Sequence, residues 1–112
     1  MPAKFIQDGS AIDYTPGADT PAGTVVVQSE LVGVTRVDLK ANQLGSLAVT
    51  GVFEFPKAGG IGSAIGMGVL TYWDAAAGNA TKNAAAGANK LIGKCVKATV
   101  DADTVVRVRV SQ

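Results

Sequence analysis

The closing stretch "TVVRVRV", Thr104 to Val110, leaves this chain little freedom in what it can become. Val106, Val108 and Val110 point one way, and Arg107 and Arg109 the other. Successive side chains on a strand face opposite sides, so this two-residue period encodes a strand with one face buried. The other face meets water or a partner. The rest of the chain repeats the theme in short pieces. Thr24–Gln28 is a β-branched run set off by Pro16–Gly17 and Pro21–Ala22–Gly23, and Leu31–Val37 follows almost at once. Leu47–Phe55 also alternates, which assigns Leu47, Val49, Phe53 and Phe55 to one face and Ala48, Thr50, Val52 and Glu54 to the other. Pro56 lacks a backbone donor and ends that strand. Val69–Trp73 and Leu91–Val100 read as further strands. Strands this short, punctuated by Gly, Pro, Asn and Asp, specify an all-β fold: a small curved β-barrel or sandwich with little helix.

At 112 residues the chain reads as one such domain. A small apolar–glycine pattern recurs in "LVGV", "VTGV" and "LIGK", placing Gly33, Gly51 and Gly93 inside strands. Glycine there marks a bend, a bulge or a close backbone approach, which suits a tightly curved sheet. The Ala-rich segment from Asp74 to Ala88 has helical propensity but no apolar stripe, and Gly78 and Gly87 interrupt it. It reads as a hairpin turn over Asp74–Lys82 and a loop over Asn83–Asn89. Residues 1–23 stand apart from the β domain at 24–112. They hold a strand-like Lys4–Phe5–Ile6–Gln7, a turn at Asp8–Gly9, then Ala11–Thr15. This segment is either an ordinary first hairpin or an extended N-terminal arm that pairs with another chain.

Chemistry is hard to find. The run "AGGIGSAIGMG", Ala58 to Gly68, has the glycine content of a phosphate cradle. Its spacing fits neither the dinucleotide nor the Walker pattern, and it feeds a strand, "VLTYWD", so no helix N-terminus follows to hold an anion. It reads as a flexible connector with at most a short turn at Ser63–Ala64–Ile65. There is no histidine, the commonest general base and metal ligand. Cys95 therefore has no His partner and reads as a structural thiol. Asp101 and Asp103 lack further ligands for a cation and read as ordinary hairpin residues. No enzyme, metal or cofactor is expected. Ten basic and nine acidic residues leave a net charge of +1, without the basic stripe of a nucleic-acid binder. No segment reaches the length of a membrane span, and the N-terminus lacks a signal-peptide run. The chain reads as soluble and made in the cytoplasm. Apolar residues are 47% and charged residues only 17%, a surface suited to association with other protein. Tyr72 and Trp73 are adjacent on a strand, so one is core and the other is a rim residue or an interface anchor.

The order of the pieces carries a resemblance. "KFIQDGSAIDYT", "AGTVVV" leading to "LVGV", "GSLAVTGVFEFPK", a Gly/Ala connector with "AIGMG", "TYWDAAAGNATK", "NKLIGKCV" and the closing "TVVRVRV" together resemble the capsid cement, or head decoration, proteins of tailed phages. The likeness spans nearly the whole chain, with "GVFEFPK", "YWD" and "LIG" its most specific parts. It implies a non-enzymatic protein of the virion or a prophage that binds the outside of the expanded head, as a homotrimer at three-fold sites, and bridges major capsid protein subunits. It also favours the arm over the hairpin: Lys4, Phe5, Ile6 and Gln7 would add a strand to the capsid. The alternative class is a small β-barrel binding module for a ligand or single-stranded nucleic acid.

Overall fold

A computed structural model of the chain describes residues 2–111. The strands form two antiparallel sheets. One holds β1 (Ala11–Tyr14), β4 (Gly45–Ala48), β3 (Leu31–Val34) and β2 (Val25–Gln28), in that spatial order. The other holds β5 (Gly51–Pro56), β9 (Val105–Val110), β8 (Lys90–Cys95), β6 (Leu70–Asp74) and β7 (Asn79–Thr81). The sheets stack as a sandwich, with β3 of the first packed on β8 of the second. Of the two architectures open to the sequence, the sandwich is the one adopted. The only helix among the described residues is a 3-10 turn at Ala85–Gly87. No helix among them is long and apolar enough to cross a membrane.

The core lies between the sheets. Val32 and Val34 meet Phe55, Ile92, Cys95, Val106, Val108 and Val110, and all are at most 5% exposed. The valines of β9 turn inward in the alternation seen in the sequence. Phe55 packs against Phe53 and Trp73, at ring centroid distances of 6.5 and 6.1 Å. Each large apolar side chain buried in this way contributes roughly 1.5–3 kcal/mol.

One strand expected from the sequence is two. Leu47–Phe55 breaks after Ala48, and the chain leaves the first sheet for the second through Gly51, at a φ of 118°. A side chain rarely adopts that backbone geometry, so glycine makes the corner. The break also separates the face assigned to Leu47 from that of Phe53 and Phe55. Leu47 is fully buried but lies outside the main core, over Gly33, where an added Cβ would sit 3.0 Å from the Leu47 Cβ. Leu39 packs beside it against Gly45, and Pro16 is buried too. The loops carrying these residues close over the sheet. Thr20 and Leu39 exchange backbone hydrogen bonds of 2.8 Å, and the Asn42 N–H donates to the Pro16 carbonyl at 2.8 Å. The Thr35 hydroxyl donates to the Pro21 carbonyl at 2.8 Å and accepts from the Thr24 N–H at 2.9 Å.

Two other strands are shorter than their apolar runs. β3 stops at Val34 because Thr35 turns into that loop network, and β8 stops at Cys95 although Val96–Val100 continues the pattern. The hairpin expected over Asp74–Lys82 is formed by β6 and β7, with Asp74 paired to Asn79.

Candidate functional site

Lys4, Phe5, Ile6 and Gln7 lie in no strand, and all four are exposed. Phe5 is 78% and Ile6 76% exposed, an unusual position for two large apolar side chains next to each other. No hairpin forms here. Ala11–Tyr14, the strand that would have been its second arm, pairs instead with β4, Ile12 opposite Leu47. The segment is moored at its base, where the Val49 N–H donates to the Ser10 carbonyl at 3.0 Å and the Gln7 amide donates to the Ala11 carbonyl at 3.3 Å.

Tyr72 and Trp73 take opposite faces of β6. Trp73 packs on the core. Tyr72 is half-buried on the outer face, paired across the ladder with Leu91 on one side and Thr81 on the other. The arm and Tyr72 are therefore separate features of the surface.

Two groups that the sequence set aside have structural roles. The glycine-rich connector is held in place: the Asp101 carboxylate accepts from the Ala64 N–H at 2.9 Å and the Gly62 N–H at 3.1 Å. Ile65 and Thr99 are joined through backbone and hydroxyl bonds, and the Ile65 side chain is fully buried. The connector is thus a docked loop rather than a flexible link. Lys57, 6% exposed, sits beneath it. Its ammonium donates to the Ala58 carbonyl at 2.9 Å, the Ser63 hydroxyl at 3.0 Å, and the Asp103 and Asp101 carbonyls at 3.3 and 3.4 Å. Asp103 accepts from the Val100 N–H at 2.9 Å. Both carboxylates at this turn serve backbone donors. Cys95 is buried, with its thiol 3.1 Å from the Lys97 carbonyl.

The N–H groups of Gly62 and Ala64, in that order, hold the Asp101 carboxyl below its ordinary value of 3.8; slight desolvation opposes them, and the charges of Lys57 and Lys82 assist. A carboxylate whose folded pKa is depressed adds stability that is present above its unfolded pKa. That stability is lost as pH falls through the folded value. Asp101→Asn should therefore be less stable than the parent at neutral pH, and the gap should close below pH 3.8. Urea midpoints of the two proteins across pH 2.5–7 check this; a constant gap would contradict the clamp.

A third surface feature was only half visible in the sequence. The outer face of the five-stranded sheet carries Arg107 and Arg109, and the register places Lys94 beside Arg109 and Glu54 beside Arg107. Val52 (58%), Leu70 (44%) and Val105 (44%) are exposed among them. Leu70 is paired with Lys94. Met67, just before β6, and Leu70, Leu91, Lys94 and Arg109 on the inner strands β6, β8 and β9 line a groove of about 410 Å³.

A family model described as phage cement protein matches residues 6–110. No curated protein and no solved structure matches the chain.

Proposed function

The chain belongs to the phage cement protein family, and on that premise we propose that it coats the outer surface of the expanded phage head and holds neighbouring major capsid protein subunits together. The family match carries this reading, and the exposed Phe5–Ile6 pair supports it. Two apolar side chains on an unpaired stretch of backbone suit strand addition, in which main-chain hydrogen bonds give affinity and alternate side chains give register. Of residues 1–23, arm duty falls to the part ahead of Ala11, because Ala11–Tyr14 already pairs with β4; residues 24–112 complete the β domain. Tyr72 is the aromatic left to serve an interface, since Trp73 packs on the core.

The mechanism is thermodynamic. A protein that binds the expanded lattice and not its alternatives stabilises that lattice by mass action. A homotrimer at a three-fold site presents three arms, and release then requires all three to detach within one lifetime. The work is structural and non-enzymatic, needs no cofactor, and is performed on the virion exterior after synthesis in the host cytoplasm. The rival reading, a small β module for a ligand or a nucleic-acid strand, draws support only from the basic outer sheet face. That face has one aromatic residue, where stacking platforms use several.

Removing residues 1–9 tests the proposal. Burial of Phe5 and Ile6 would supply roughly 1.5–3 kcal/mol each, so the truncated protein should bind heads at least about a hundredfold more weakly. Its fold should persist, since β1 begins at Ala11. Cryo-electron microscopy of heads mixed with each form reads the occupancy, and full decoration by the truncated form would rule out the arm.

A further inference from the structure

We propose that the outer face of the five-stranded sheet is a second docking surface, separate from the arm, and that its occupant is an acidic, partly apolar protein surface. The inference rests on the capsid-binding reading above and names the chemistry of a further contact on that partner. Lys94, Arg107 and Arg109 occupy neighbouring positions on β8 and β9, with Lys94 and Arg109 paired in register. None of the three is in an ion pair among the described residues, where Lys90–Glu30 is the pair formed. Two carboxylates share this side of the sheet: Glu54, beside Arg107 in register, and Asp74 at the far end of β6, which accepts from the Ala77 N–H of its own turn at 3.1 Å. The cations are interleaved with exposed Val52, Leu70 and Val105 and with half-buried Tyr72. A groove of about 410 Å³ opens between Leu70, Leu91, Lys94 and Arg109, with exposed Met67 at its rim.

Charge complementarity selects carboxylates as the partner groups, and the apolar residues select protein over a polyanion. A phosphate backbone would pair the cations but leave Val52, Leu70 and Val105 against hydrated charge, and Glu54 would repel it. A protein surface carrying Asp or Glu beside apolar side chains satisfies both halves of the face. The mixture of Arg, Met, Tyr and aliphatic residues is that of a protein–protein interface.

The test uses heads assembled from the cognate major capsid protein without this chain, and the full-length protein with its arm intact. Arg107→Glu together with Arg109→Glu places like charges against the partner, a change that costs interfaces several kcal/mol, and should weaken binding at least about a hundredfold. Leu70→Ser should weaken it by about tenfold. Arg36→Glu, on an exposed loop off this face, should bind as the parent does. All are surface changes, and circular dichroism and melting curves should match the parent. If the parent binds heads and the face variants bind equally well, the second surface is overturned while the cement reading stands. If the parent does not bind heads, both fall. Loss of self-association in the double variant, read by sedimentation equilibrium, would make the face an interface between copies and overturn the inference. Tight binding of oligo(dT) that the double variant loses and the Leu70 variant keeps would overturn it in favour of a nucleic acid.

Discussion

Replacing Gly93 with alanine is expected to remove a large part of the protein's stability. Gly93 lies in the middle of β8, paired with Thr71 on one side and Val110 on the other. A Cβ placed there would run into the carbonyl oxygen of Arg109, and would lie 2.9 Å from that carbonyl carbon and 3.0 Å from the Ser111 nitrogen. All three are backbone atoms, so no rotamer change relieves the collision. β9 cannot withdraw, because its other edge is laddered to β5 from Gly51 to Pro56. Separating β8 from β9 would open the core along Val108 and Val110. The loss should exceed about 4 kcal/mol, in the range reserved for severe core lesions, against a total stability of about 5–15 kcal/mol for a domain of this kind. Urea denaturation followed by tryptophan fluorescence reads it through Trp73. Gly59→Ala is the control: no atom lies within 4 Å of its added Cβ, and the change should stay within about 0.5 kcal/mol. An alanine at Gly93 with near-parental stability would mean that the β8–β9 approach is looser than described.

The second large effect is expected at Lys57. Its ammonium is the common donor for Ala58, Ser63, Asp101 and Asp103, and so ties the glycine-rich connector to the loop before β9. Lys57→Met keeps the apolar stem and removes the donor, leaving three carbonyls and a hydroxyl without it. Charge-assisted bonds of this kind are worth more than neutral ones, and stranded acceptors cost about 1–3 kcal/mol each unless water reaches them. With water admitted at the rim, a loss of about 3 kcal/mol is expected, together with faster proteolysis inside residues 58–68. Lys57→Ala should cost more, because the buried stem goes too. A methionine variant with parental stability and a protected connector would remove Lys57 from this role.

Both residues were in plain view in the sequence, and they were legible to different degrees. Gly93 stood in "LIGK", one of three apolar–glycine pieces read as bends or close approaches. Gly51 proved to be the bend, and Gly33 and Gly93 the close approaches. Lys57 drew no structural expectation. Its acceptors are three backbone carbonyls and the Ser63 hydroxyl, the farthest 46 residues away, which no local pattern encodes. The connector differs from its local pattern for the same reason: composition predicts freedom, while Asp101, from a distant turn, supplies the restraint.

The surface follows the same division. The alternation of Thr104–Val110 set Arg107 and Arg109 outward, whereas local pattern left residues 1–23 open between a first hairpin and an arm. That Lys94 joins the arginines, and that Trp73 rather than Tyr72 packs inward, depended on how β8, β9 and β6 are laddered together.

By itself, then, the sequence determined the β class, the short strands, the inward valines of the last one, and the hairpin at Asp74–Lys82, because a two-residue period and turn residues act over a few neighbours. Only the tertiary structure decided that Leu47–Phe55 divides between two sheets, that the first strand pairs with β4, and that a lysine holds the connector. Those outcomes depend on contacts between segments far apart in the chain, whose energies appear only once the sheets are stacked.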